Sequence, residues 1–282
     1  MVERRPGLDA LAYLVLILGV LVMAFPVYVT LVTSTLSAEQ VRQWPLPLLP
    51  GGHLLENYVT VLTQGAGAGT TSVGRMMWVS LLMALGIALG KIAISLLSAF
   101  AVVYFRFPLR QLCFWLIFLT LMLPVEVRIM PTFQVVSDLG LLNRWGGLII
   151  PIMASATATF LFRQFFLSVP DELAEAARVD GAGPLRFLRD ILLPLSKTTL
   201  AALFVIQFIY GWNQYLWPLL MTTQPEMTPV VVGLTQMMSH SGDAVTAWHL
   251  VMATAMLAML PPALVVLLMQ RWFVKGLVET EK

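Results

Sequence analysis

The chain has 282 residues, of which 59% are hydrophobic and 11% are charged, against about 25% charged in an average soluble domain. With a mean hydropathy of +0.84, it has too few polar residues to cover the surface of a soluble globular protein. The same figures exclude a disordered chain and a secreted disulfide scaffold, and a net charge of +2 is too small to indicate a nucleic-acid partner. We therefore expect an all-α integral membrane protein in contact with a lipid bilayer.

Six apolar stretches, each with few or no charged residues, are long enough to cross a bilayer, which takes about 20 residues of helix. Helices are expected because the hydrocarbon cannot satisfy open backbone groups. The predicted spans cover residues 11–33, 76–105, 112–130, 145–166, 198–222 and 248–271. Together they form a single membrane domain that occupies residues 1–282.

The positive charges are divided unevenly between the two sides of this arrangement. Twelve of the 17 lysines and arginines lie at the two termini or in the second-to-third and fourth-to-fifth connections, and four lie in the other connections. Because cytoplasmic loops carry the excess of Lys and Arg, both termini are predicted to be cytoplasmic. Two long connections, 34–75 and 222–247, then face outward. The first is rich in Pro and Gly, so we expect it to be irregular.

The cytoplasmic connection at residues 168–194, here called the elbow, predicts two short helices joined by a sharp turn. Ser168, with Asp171 three residues later, is typical of a capped helix start. Gly181 permits the turn, and Pro194 is expected to end the second helix. From composition alone, an ordinary amphipathic helix at the membrane surface is the alternative.

Positions in the elbow match, at fixed offsets, the EAA–G–I-x-LP motif of permeases from binding-protein-dependent ABC importers. The matching residues are Glu175, Ala176, Ala177, Gly181, Ile191 and Pro194. The chain resembles the carbohydrate-type permeases, to which the maltose importers belong. The resemblance implies the six-helix type I importer fold. It also implies that the elbow, including Asp180, is a coupling helix seated in a groove of an ATP-binding subunit.

Other stretches extend the resemblance over nearly the whole chain. Residues 55–58, 163–166 and 212–215 support the resemblance to the carbohydrate-type permeases. Two further stretches, Phe105–Arg110 and Leu121–Arg128, resemble a permease subunit of the sn-glycerol-3-phosphate importers. The resemblance implies import of sn-glycerol-3-phosphate, or of glycerophosphodiesters, across a bacterial inner membrane. The implied partners are a homologous second permease, two ATP-binding subunits that hold ATP and Mg²⁺, and a periplasmic binding protein. A neutral-sugar permease and a secondary transporter are the alternatives.

The chain shows no nucleotide, metal or catalytic motif of its own, so we expect no cofactor on it and no enzymatic activity. Gly86–Ile92 has three residues between its glycines, one fewer than a phosphate-binding loop, and lacks the following Ser or Thr. Gly86 and Gly90 instead predict close packing of helices. His53, His240 and His249 lack the spacing of metal ligands. An intramembrane enzyme is the rival class, and no residue pattern supports it.

Three charged residues within the spans are candidates for the substrate pathway, because such charges are costly in a membrane. On straight helices, Lys91 and Glu126 each lie about 22 Å from the cytoplasmic edge, so they are predicted to pair. That pairing would leave Arg128 free to meet a phosphate through its planar fork of donors. Alternatively, Arg128 extends to the outer interface.

The fifth span carries a polar cluster, Asn213, Gln214 and Tyr215, within one helical turn. The two amides could bind substrate hydroxyls or hydrogen-bond a neighbouring helix. We count all three residues as candidates for the substrate pathway.

Overall fold

The computed structural model describes residues 6–65, 71–120, 125–239 and 246–279, and within these ranges the side chains of 6–9, 125–126 and 271–279 are excepted. The chain divides into two compact units. The first comprises residues 1–75 and 233–260, and the second comprises residues 76–232 and 261–282.

Helices account for all the regular secondary structure of the described ranges. The α-helices are α1 (Pro6–Ser34), α2 (Leu54–Thr63), α3 (Val73–Tyr104), α4 (Arg110–Leu119), α5 (Val125–Asp138), α6 (Trp145–Ile149), α7 (Ala156–Ser168), α8 (Asp171–Val179), α9 (Pro184–Phe187), α10 (Leu193–Leu195), α11 (Lys197–Trp212), α12 (Leu216–Met221), α13 (Val230–Ser239) and α14 (Trp248–Glu279). Short 3₁₀ turns at Gln40–Arg42, Ile150–Ile152 and Pro225–Met227 and a π turn at Leu188–Leu192 complete the set.

Within the described residues, three helices are long and apolar enough to cross a membrane: Ala10–Ser34, Val73–Tyr104 and Trp248–Gln270. They coincide with the first, second and sixth predicted spans. Counting each of two bent helix pairs as one span raises the number to at most five. The count of six stays a prediction.

The third predicted span, 112–130, is described in two parts, and its continuity stays a prediction. Helix α4 ends at Leu119, where the hydroxyl of Thr120 donates 2.6 Å to the carbonyl of Ile117, and α5 begins at Val125. Residues 121–124 lie outside the described ranges, so the depth of Glu126 stays a prediction.

The fourth and fifth predicted spans are each broken. The segment Trp145–Ile152 meets α7 at an angle of 49°, where Ser155 caps α7 by accepting a hydrogen bond from the Ala158 N–H at 3.2 Å. Helix α11 ends at Trp212, and α12 follows four residues later. Pro218 in α12 cannot donate to the carbonyl of Gln214, which explains why the helix does not run through.

The glycine face predicted on the second span is confirmed within the second unit. A Cβ on Gly86 would come within 2.7 Å of the Ile149 side chain, and one on Gly90 would collide with Met153. On α11, a Cβ on Gly211 would lie 2.9 Å from the Cα of Ala84. Helix α3 therefore packs closely against the α6 segment and α11 because these positions have no side chain.

The two connections predicted to face outward contain helices, contrary to the irregular structure expected for the first. In that connection, buried Asn57 of α2 donates hydrogen bonds of 2.9 Å to the carbonyls of Ser34 and Leu36. In the last connection, α13 begins at Val230, whose N–H donates 2.8 Å to the hydroxyl of buried Ser80. His240 lies outside the described residues.

The close approach at Gly211 predicts opposite responses to the same substitution at two glycines. Gly211→Ala should destabilise the protein by about 1–3 kcal/mol through overpacking against Ala84. Gly19→Ala should be neutral or stabilising by up to about 1 kcal/mol, because alanine favours helix and a Cβ there meets nothing within 4 Å. Thermal unfolding of the purified protein measures both. Equal shifts of the two melting temperatures would contradict the packing described here.

Candidate functional site

The elbow begins with α8, which carries negative charges at its N-terminal end and a positive charge at its C-terminal end. Asp171 and Glu172 occupy its first turn and Arg178 its last, in the order that the helix dipole favours. The predicted cap is wrong: Pro170 precedes α8 without a side-chain cap, and the Ser168 hydroxyl donates 2.7 Å to the carbonyl of Phe165 in the preceding helix.

Helix α8 ends in a Schellman turn. The Ala182 N–H donates 2.8 Å to the Ala177 carbonyl, and the Gly181 N–H donates 3.0 Å to the Arg178 carbonyl. This arrangement needs a left-handed residue after the helix, and Gly181 has φ of +70°. A Cβ on Gly181 would meet nothing within 4 Å. The turn therefore selects glycine for its backbone conformation alone.

The second limb of the elbow continues further than predicted. After α9 the chain forms the π turn and then α10, so Pro194 lies inside helical structure instead of ending it. Proline lacks an N–H and crowds the carbonyl four residues earlier, a mismatch that a widened π turn relieves. The direction changes at Ser196, where Pro184–Leu195 and Lys197–Trp212 meet at 78°.

The motif residues of the elbow divide into an inward and an outward group. Ala177 is 5% exposed and packs in a cluster with Phe100, Phe166, Phe187 and Leu192, against which Ile191 also packs. The outward group is exposed and consists of Glu175, Ala176, Asp180, Gly181 and Pro194. The inward group attaches the elbow to the membrane helices, and the outward group leaves a surface open to a partner.

Within the second unit, Lys91 is buried against an aromatic ring. Its side chain is 6% exposed, and its Nζ lies 3.6 Å from the centroid of the Tyr210 ring. A cation over an aromatic face is stabilised by the ring quadrupole, most strongly when water is excluded. The sequence did not reveal this contact, because the two residues are far apart in the chain.

The predicted pair of Lys91 with Glu126 stays a prediction, since the Glu126 side chain lies outside the described residues. Arg128 is exposed on α5 and lies near enough to Lys91 for the two cations to repel each other. The structure thus brings two of the three predicted charges into one neighbourhood.

The polar cluster of the fifth span lies at the break between α11 and α12. Asn213 and Tyr215 are exposed there. The Gln214 amide donates 3.1 Å to the carbonyl of Tyr210, so part of its donor capacity satisfies the broken helix. The cluster and Lys91 therefore share Tyr210 as a neighbour.

Asn143 is a clamp that the sequence analysis missed. It has φ of +55°, and its Oδ1 accepts hydrogen bonds of 2.7 Å and 3.2 Å from the N–H groups of Thr223 and Gln224. Its own N–H donates 3.0 Å to the carbonyl of Met221. The turn after α5 is thereby fixed to the chain that follows α12. Asn before a hydrophobic segment indicates a turn but not its distant partner.

In the described ranges, no three His, Cys, Asp or Glu side chains converge in a group that could hold a metal ion.

The contact between Lys91 and Tyr210 can be measured by a double-mutant cycle. Tyr210→Leu should destabilise the protein by about 1–2 kcal/mol more with Lys91 present than in a Lys91→Met background. Tyr210→Phe, which keeps the ring, should be close to neutral. Thermal unfolding of the four proteins of the cycle gives the coupling. A coupling near zero would show that the ring does not stabilise the ammonium.

Comparisons with known proteins cover most or all of the chain. The model of the family described as binding-protein-dependent transport system inner membrane component matches residues 91–279. The sn-glycerol-3-phosphate transport system permease proteins UgpE of Brucella melitensis and Pectobacterium atrosepticum are both 58% identical to this chain, and that of Rhizobium meliloti is 57% identical. Each alignment covers 100% of this chain and 100% of the relative.

A solved structure has the same fold at low sequence identity. It is described as a bacterial ABC transporter involved in the import of the acidic polysaccharide alginate, and one of its chains matches with a TM-score of 0.82 and 22% identity. The match covers 97% of this chain and 99% of that one. The fold is therefore that of an ABC importer permease. The chain belongs to the family of binding-protein-dependent transport system inner membrane components.

Proposed function

We propose that this chain is one of two permease subunits of an ATP-driven importer that moves sn-glycerol-3-phosphate from the periplasm to the cytoplasm. The observation that carries the proposal is the 57–58% identity, over the full length, to relatives named as permeases for that substrate. The excess of Lys and Arg in the elbow and at the termini supports cytoplasmic termini. A homologous permease, two ATP-binding subunits with ATP and Mg²⁺, and a periplasmic binding protein complete the assembly.

The elbow transmits the motion of the ATP-binding subunits. Exposed Glu175, Ala176 and Asp180 contact the groove of that subunit. Buried Ala177 holds α8 on the aromatic cluster, and the Schellman turn fixes the two limbs of the elbow relative to each other. Closure of the two ATP-binding subunits around ATP therefore moves the membrane helices, which open outward to the binding protein. Hydrolysis on the partner resets them inward.

The substrate pathway passes the break between α11 and α12. Arg128 binds the phosphate of the substrate, because guanidinium donors match phosphate oxygens in pairs. Lys91 contributes a second positive charge from a buried position. Hydrogen-bonding groups for the glycerol hydroxyls come from Asn213, Gln214 and Tyr215. These residues lie between the end of α11 and the start of α12.

Two other substrates and one other mechanism stay distinguishable by experiment. Glycerophosphodiesters share the phosphate and would use the same arginine, whereas a neutral sugar would gain nothing from Arg128. A secondary transporter would continue uptake after deletion of the ATP-binding subunit. Uptake of labelled glycerol-3-phosphate that stops in that deletion supports the ATP-driven mechanism.

The role of Gly181 predicts a loss of coupling without a loss of folding. Gly181→Asp should retain membrane insertion, because a Cβ there has free space. It should abolish uptake, because the carboxylate enters the contact with the ATP-binding subunit. Gly181→Asn is the matched control, since asparagine has similar size and also tolerates positive φ. It should retain more uptake than the aspartate. Uptake at the original level in Gly181→Asp would refute the coupling role.

The role of Arg128 predicts a loss of transport while the ATP hydrolysis of the partner subunits stays unchanged. With substrate-loaded binding protein, Arg128→Ala should lower the uptake rate at least about tenfold, as expected for losing a hydrogen bond to a charged group. ATP hydrolysis in the absence of substrate should be unchanged. Arg144→Ala, which removes another exposed arginine of the same predicted side, should transport normally. Undiminished uptake by Arg128→Ala would remove this residue from the pathway.

A further inference from the structure

A cavity of about 490 Å³ lies between the end of α3 and the inner face of the elbow, within the second unit. Its volume falls in the range of pockets that hold small molecules. Its walls include the rings of Phe100, Tyr104 and Phe187, together with Arg106, Arg178 and Ala182. Nothing in the proposed transport cycle uses this cavity.

The aromatic wall of the cavity is held in place by contacts among its members. The Tyr104 ring lies 5.2 Å from that of Phe187 and 5.5 Å from that of Phe100, measured between centroids. The Tyr104 hydroxyl donates 3.3 Å to the carbonyl of Phe166. The cavity therefore offers a preformed apolar surface.

The two arginines add positive charge to this apolar surface. Among the described residues, the ion pairs of the elbow join Arg186 and Arg189 to Asp190, and neither Arg106 nor Arg178 is paired. Asp171 lies close enough to Tyr104 to interact with it but does not line the cavity. Two cations beside a ring-lined wall fit a ligand with an anionic head and an apolar part.

The cavity is separate from the surface of the elbow that is proposed to contact the ATP-binding subunit. On α8, Ala174, Ala177 and Arg178 line the cavity, whereas Glu175 and Ala176 do not; with 3.6 residues per turn, Ala176 lies on the opposite side of the helix and Glu175 on its flank. The cavity also lies at the end of a long apolar helix, where Phe105 is 42% exposed. A ligand can therefore enter from the bilayer while the ATP-binding subunit is docked.

We propose that this cavity is a binding site for an anionic phospholipid of the cytoplasmic leaflet. Arg106 and Arg178 bind the phosphate, and the aromatic wall contacts the glycerol and upper acyl chain. Basic pockets beside membrane helices on the cytoplasmic side are suited to such headgroups. Free phosphate would leave the aromatic wall unoccupied. The bound lipid fastens the elbow to α3, and this inference rests on the proposed cytoplasmic side of the elbow.

Lipid retention by the purified importer, without nucleotide or substrate, tests the proposal independently of transport. Native mass spectrometry measures the binding of added phosphatidylglycerol and phosphatidylcholine to the delipidated complex. Phosphatidylglycerol should bind more tightly. Arg106→Gln and Arg178→Gln should each weaken its binding about fivefold, and together about twenty-fivefold, as the contribution of one basic residue near an anionic leaflet suggests.

Arg189→Gln is the matched control, because it removes the same charge from the elbow at a side chain that is 84% exposed and does not line the cavity. It should leave lipid binding unchanged. If the arginine variants do not fold, Ala182→Phe, which fills the cavity at constant charge, should also weaken phosphatidylglycerol binding, whereas Leu185→Phe should not.

Other outcomes overturn the proposal. Equal binding of the two lipids, or an equal loss in Arg189→Gln, would reveal general attraction to charge. Displacement of the lipid by inorganic phosphate would assign the site to a soluble anion. Crosslinking of the cavity wall to the ATP-binding subunit would assign it to that protein.

Discussion

The hydrocarbon offers no water to backbone groups, so each helix break must find its hydrogen-bond partners inside the protein. The second unit meets this demand with side chains from neighbouring helices. Ser95 of α3 donates 3.1 Å to the carbonyl of Ser155 at the bend before α7, and the Trp217 indole of α12 donates 3.2 Å to the carbonyl of Leu148. At the break after α11 the donor is local: Gln214 donates to the carbonyl of Tyr210, four residues earlier in the chain. These contacts satisfy backbone carbonyls that the helix breaks would otherwise leave without a partner.

The elbow illustrates how a short motif combines local geometry with surface chemistry. Gly181 supplies a backbone conformation, Ala177 supplies a contact small enough to fit an aromatic cluster, and Glu175 remains outside. A motif that appears uniform in the sequence thus contains residues with different physical tasks. Substitutions at Ala177 act on attachment to the membrane helices, while substitutions at Glu175 leave the fold of this chain untouched.

Hydropathy predicted the helical class and the long first, second and sixth spans, because each of these apolar runs contains at most one charged residue. Glycine spacing likewise predicted the packing of α3, since an absent side chain matters wherever helices touch. The break after Trp212 was not predicted, because the span was placed from its apolar run and Pro218 was given no weight. The contact of Lys91 with Tyr210 and the clamp at Asn143 join residues more than 70 positions apart, and no local pattern encodes such distances. The Pro194 prediction was wrong because a π turn accommodates a proline that an α-helix would exclude.

The clamp at Asn143 ties together two segments that carry residues of the proposed substrate pathway. It joins the turn after α5 to the segment that follows α12. Helix α5 carries Arg128. Because Asn143 bonds the backbone on both sides of this junction, α12 cannot shift away from the end of α5 without breaking these hydrogen bonds. If the elbow moves as proposed, the 78° corner at Ser196 is where that movement reaches α11.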